Sequence, residues 1–202
     1  YRALSDALGR GQYEFPTGLS YGGSEPAWSN RTLRAVLDAE LSAAHRVAVI
    51  DWHTGRGDYG EAFYLCFSPV GSPAFQRAAD WWGHERLTAK DEIGEAYEGE
   101  APPARTGLLM EGMDAALPGQ LAGAVIEIGT YEPRRVVRAE IIDRWLKFEA
   151  VREDPLAIRL RREMVEAFFP AAPEWRQAVL DNGIEAADKA LAGIVRWHTE
   201  TH

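Results

Sequence analysis

The sequence predicts an α/β fold, and three observations carry that reading. The run Val47-Ala48-Val49-Ile50-Asp51-Trp52 is apolar and β-branched, and it follows directly on a stretch with Leu33, Val36, Leu37 and Leu41 at helical spacing. A second apolar run, Ala122-Gly123-Ala124-Val125-Ile126-Glu127-Ile128-Gly129-Thr130, reads as another buried strand. Beyond it the chain is helical, with Pro133, Pro155 and Pro173 marking three helix starts. Helices feeding apolar strands are the α/β pattern.

Taken in order, residues 1–8 read as a helical fragment closed by Gly9. Residues 12–30 read as a loop punctuated by Pro16, Gly18, Gly22, Gly23 and Pro26, yet carrying Tyr13, Phe15, Tyr21 and Trp28. Such aromatics pack a loop onto its domain or line a pocket. Ser29-Asn30 suits the cap of a helix over 31–44. A strand over 47–52 follows, then a glycine-rich loop over 54–60 and a second strand over 61–67. Residues 72–82 form a helix with Pro73 in its first turn. Residues 84–105 lose the apolar period and read as a long, lid-like loop. A helix over 106–117 leads to a strand over 124–128. Helices from Pro133 to about Glu149, from Asp154-Pro155 onward, and from Glu174 to about His198 complete the chain.

The length of 202 residues suits one domain, and 46% hydrophobic with 26% charged residues gives ample core. The formal net charge of −9 argues against nucleic acid as a partner, because phosphate binding needs a basic surface. No apolar stretch has transmembrane length and no signal peptide is visible, so no membrane partner is expected. Cys66 is the single cysteine. An intramolecular disulfide is impossible, and a reducing, cytoplasmic compartment is the expectation.

Chemistry concentrates at two strand ends. His53 closes the first apolar run before Thr54-Gly55, where open α/β sheets collect ligands and catalytic groups. It reads as a metal ligand or as a hydrogen-bonded structural residue. Asp51 shares its face by alternation and would orient the ring, cap the strand or pair with an arginine. Glu127, among Val125, Ile126 and Ile128, is costly to bury as an anion unless paired. It reads as a general base or as the partner of Arg134, Arg135 or Arg138. No His-Glu-x-x-His and no His-x-x-Glu occurs. His45, His84, His198 and His202 read as solvated, and Cys66 reads as core.

Taken together, these runs resemble a known group. The residues are Gly11-Gln12-Tyr13, Gly18-Leu19, Tyr21-Gly22-Gly23 and Pro26-Ala27-Trp28-Ser29-Asn30-Arg31-Thr32-Leu33-Arg34. Ile50 to Gly55, Ile126 to Tyr131, Phe168-Phe169-Pro170 and Trp175 follow in order. The chain resembles a bacterial family of uncharacterised function in the zinc carboxypeptidase superfamily, near the succinylglutamate desuccinylase and aspartoacylase branch. The resemblance implies a mixed-sheet, zinc-carboxypeptidase-like fold. It also implies a zinc site of one His-x-x-Glu pair and a later histidine, with a glutamate activating the zinc-bound water. His53 matches the later histidine and Glu127 the glutamate. The His-x-x-Glu pair and an Asn-Arg motif for a substrate carboxylate would lie upstream. Residues 1–202 then form the C-terminal part of a single such domain.

The function expected on this basis is zinc-dependent hydrolysis of an amide or peptide bond, of metallocarboxypeptidase type, on a small-molecule or peptide substrate. His53 is the metal ligand, Glu127 the base or acid, and Asp51 supports them. Tyr97 or Tyr131 would donate a hydrogen bond to substrate, and Arg105 would contact an anion. His53 and Glu127 should lie roughly 4–8 Å apart, with room for a metal-bound water. The sheet should present an apolar edge that an upstream segment or a second copy covers. The competing reading is a non-catalytic α/β module, used in binding or assembly, that has lost its metal site.

Overall fold

The computed structural model describes residues 8–89 and 107–199. Four strands form one mixed sheet in the order β1-β4-β2-β3: β1 (Val47–Tyr59), β2 (Ala62–Cys66), β3 (Leu87–Ala89) and β4 (Leu121–Gly129). Helices α1 (Trp28–Val36), α2 (Pro73–Trp82), α3 (Leu109–Ala116), α4 (Pro133–Phe148), α5 (Pro155–Phe168) and α6 (Pro173–Thr199) accompany it. The α/β expectation holds.

β1 and β4 run the same way. Val47 N–H donates to Gln120 O at their start (2.7 Å), and Gly60 N–H donates to Gly129 O at their finish (2.9 Å). Gly129 N–H in turn donates to Glu61 O, also at 2.9 Å. The chain therefore reverses over the end of β4, and β2 leaves from that end and runs against it. β2 and β3 are parallel, in register Tyr64 to Leu87 and Cys66 to Ala89.

By contact the chain forms two compact units. One comprises Pro26–His53, Phe63–Glu127 and Leu180–His202. Here strand alternation sorts the core into two faces. Val47, Val49, Phe63, Leu65, Leu121 and Val125 point to the face covered by Leu33 and Leu37 and by Met110 and Met113 of α3. The opposite face carries Tyr64, whose ring stacks on Trp82 of α2 at 5.9 Å. Trp82 Nε1–H donates to Ala186 O of α6 (3.0 Å), and Gly193 lies against the Trp81 indole. β4 is buried along its whole length, as a strand covered on both faces must be. β1 is the outer strand of the described sheet, and residues 48–51 are only half-buried.

The other unit comprises Tyr1–Glu25, Thr54–Ala62 and Ile128–Val179. α4 packs on α5, and Arg138 pairs with Glu163 between them. Gly129 O accepts a second hydrogen bond, from Trp175 Nε1–H at 2.8 Å. Thr54 Oγ1 donates to Phe168 O (2.7 Å).

Four local expectations are corrected. α1 starts at Trp28, not Arg31, on a backbone turn at Ala27 without a side-chain cap, and it continues as a π turn over Leu37–Leu41. β1 runs through the expected loop at 54–59, because Gly55 (φ 135°) and Gly57 (φ 96°) take up the surplus of its 13 residues over the 9 of β4. β4 starts three residues before Ala124. The stretch after His84 contains the short strand β3. Elsewhere the local chemistry is as read: Ser72 Oγ accepts from Phe75 N–H (3.2 Å) and Asp154 Oδ1 from Leu156 N–H (2.7 Å).

Gly129 offers a test of this packing. A Cβ there would land on the carbonyl oxygens of Gly57 and Asp58. Gly129→Ala forces backbone apart, and overpacking of this kind costs about 1–3 kcal/mol. Urea denaturation should show an unfolding free energy lower by about that amount, read as a lower midpoint at unchanged slope, and an unchanged midpoint would show that the approach is looser than described.

Candidate active site

Asp51 and His53 meet Glu127 across the parallel strands β1 and β4: Glu127 is near the carboxyl end of β4, but His53 does not end its strand as expected, because β1 continues to Tyr59. Val47, Val49 and Val125 fill the same sheet face below them, so the three polar residues continue an apolar face past its helical cover. His53 lies between the two carboxylates. Its Nε2 is 3.1 Å from Asp51 Oδ2, and its Nδ1 is 3.6 Å from Glu127 Oε1. The His53 side chain is 46% exposed, Asp51 24% and Glu127 9%.

The expected proximity of His53 and Glu127 is therefore present, but tighter than anticipated. At 3.6 Å the two groups face each other directly, without the expected gap for a water. The contact with Glu127 is the largest cause raising the His53 pKa from 6.5 to about 9, against desolvation and with help from Asp51. Asp51 is nearer, but its carboxylate is better solvated and therefore more screened. Glu127 is paired with His53, and Arg138 is engaged instead by Glu163.

The second oxygen of Glu127 is buried and has no hydrogen-bond partner among the described residues. A buried acceptor without a donor costs about 1–3 kcal/mol, and more when charged. Such an atom marks a place for a water, a cation or a reacting proton. The donor types here, one imidazole and two carboxylates, are ones that zinc accepts. Among the described residues, however, no group of three or more His, Cys, Asp or Glu side chains is arranged to hold a metal.

Of the other candidates, Tyr97 and Arg105 lie outside the described residues. Tyr131 is described, and its hydroxyl is committed: it donates to Glu166 Oε1 at 2.6 Å. That bond pushes the phenol pKa up to about 12. The Arg135 guanidinium lies 3.5 Å over its ring, and Tyr59 lies 5.6 Å away. The pairing with Glu166 spans 35 residues and left no signal in the sequence. His45, His84 and His198 are exposed, as read, and Cys66 is fully buried, with burial pushing its thiol pKa up. Among the described residues no helix is long and apolar enough to cross a membrane.

The raised His53 pKa has a definite sign. Protonated His53 is favoured in the folded chain, so its contribution to stability is complete below about pH 6.5 and is lost as pH rises through about 9. In the metal-free chain, an NMR titration of the His53 ring should show a midpoint near 9. Glu127→Gln should lower that midpoint more than Asp51→Asn. A wild-type midpoint near 6.5 would contradict the geometry.

Comparison with curated proteins and with solved structures finds no match. A family profile does match, over residues 1–182, and its description reads protein of unknown function (DUF2817). With nine-tenths of its length inside that match, the chain belongs to this family.

Proposed function

We propose that the chain carries the general base and one metal ligand of a zinc-dependent hydrolase in the zinc carboxypeptidase superfamily, acting on an amide or peptide bond. The observation that carries the proposal is the buried Oε2 of Glu127, without a hydrogen-bond partner among the described residues and set beside His53 across two parallel strands. The succession Asp51-Trp52-His53-Thr54-Gly55 and the later Glu127 supports it by resemblance. So does the lone buried Cys66 for a cytoplasmic setting.

His53 would hold the metal through one ring nitrogen, and the other ligands would come from outside the described residues. Zinc, when bound, supplies Lewis acidity and makes water acidic enough to react near neutral pH. Glu127 takes up a proton at its carboxylate and returns it to the leaving amine. Asp51 holds the imidazole of His53 in one orientation through the 3.1 Å contact at Nε2. The substrate is a small molecule or a peptide.

One observation favours the competing reading of a non-catalytic binding or assembly module: both ring nitrogens of His53 face carboxylates, as in a purely structural ion pair. The two readings separate by substitution in the full-length protein. Glu127→Gln keeps size and hydrogen bonding but cannot take a proton, so it should retain zinc and lose about 10²–10⁴-fold in hydrolysis. His53→Ala should lower zinc content measured by metal analysis. Equal activity of wild type and Glu127→Gln would remove the catalytic role and leave the module.

A further inference from the structure

Arg135, in the first turn of α4, is held in an unusual way for a surface arginine. Its guanidinium lies flat over the Tyr131 ring, 3.5 Å from the centroid. Tyr131 is fixed in turn by its hydroxyl, which donates to Glu166 Oε1 at 2.6 Å. Glu166 is fixed by Ala171 N–H, which donates to Oε2 at 3.0 Å. A chain of three contacts thus sets the plane and position of one guanidinium. Its backbone N–H donates to Glu132 O (2.9 Å), yet its guanidinium makes no hydrogen bond and no close ion pair with another described residue. Stacking occupies the face of the group and leaves its edge, with the N–H donors, open.

The local charge points the same way. The hydrogen bonds from Arg138 to Glu163 and from Tyr131 to Glu166 hold both carboxyls below the usual range, and Arg135 adds to the effect on each. Glu163 is taken by Arg138 and Glu166 by Tyr131 and Ala171.

We infer that Arg135, buttressed by Tyr131 and Glu166, is the recognition group of a carboxylate-binding site. A planar carboxylate matches the open edge of one guanidinium by two parallel N–H···O bonds. A phosphate can take the same edge, but its further oxygens and second charge would call for additional donors. Tyr131 then serves as a positioning residue, and its hydroxyl does not donate to a ligand. This site goes beyond the hydrolase reading and does not depend on it.

The test is an NMR titration of the full chain without metal, following the Arg135 Nε–H and the Tyr131 ring, with N-acetylglycine and inorganic phosphate as probes. N-acetylglycine should shift both resonances saturably and bind more tightly than phosphate. Arg135→Gln should weaken it about tenfold or more, the usual effect of losing a charge-assisted pair. Arg135→Lys should weaken it similarly, because an ammonium keeps the charge but not the fork. Both variants should melt at the wild-type temperature. Tighter binding of phosphate, wild-type affinity in either variant, or no saturable shift would overturn the inference. Since neither zinc nor turnover is read, these outcomes are independent of whether Glu127 is a base.

Discussion

The parallel register of β1 against β4 is the constraint on which the rest depends. Strand side chains alternate, so the tie of Val47 to Gln120 decides which face every later residue of both strands takes. In this register Val49, Asp51 and His53 share a face with Val125 and Glu127. A slip by one residue would send His53 and Glu127 to opposite faces. It would also put Val47 and Val49 out of the cluster formed with Leu37 and Met110. The apolar contacts that stabilise the unit are thus the same ones that bring an imidazole and a carboxylate together. Gly123 serves the register directly, since a Cβ there would meet Val49 O.

Much of this was legible in the sequence because it rests on local pattern. The strand at 47–52, the carboxylate inside an apolar run and the proline-marked helices follow from periodicity and capping alone. What was not legible rests on contacts distant in the chain. Gly55 and Gly57 look like loop residues, and only pairing with β4 keeps β1 extended through them. β3 has three residues, too few to show a period, and exists because β2 offers it an edge. Tyr131 reads from the sequence as a hydrogen-bond donor to substrate. Its hydroxyl, however, is committed to Glu166, on a helix 35 residues away. Local reading finds groups able to do chemistry but does not reveal which are already engaged.

The two tyrosine and histidine networks illustrate how burial and pairing distribute cost. His53 is charged between two carboxylates and remains nearly half exposed, so water shares in solvating it. Glu166 is met by a phenol and a backbone N–H, and its charge is further balanced by Arg135 and Arg176. His53 and Glu166 are thus each met from several sides. Glu127 is different: the His53 ring meets one oxygen, and the other is enclosed with nothing to accept from.

That asymmetry limits what can occupy the site formed by Asp51, His53 and Glu127. A carboxylate freely solvated on both oxygens gains little from a new neighbour, because water is already there. Glu127 has lost that hydration at Oε2, so a donor or cation arriving there regains most of a hydrogen bond without displacing a competitor. Asp51, more exposed, offers no such gain. Any species binding at this end of the sheet is therefore drawn to the inner carboxylate first and to the outer one second. The imidazole between them is the group that must adjust. The geometry ranks the three residues in a way their order in the chain does not: Glu127 supplies the driving force, His53 the adjustable contact, and Asp51 the restraint on the ring.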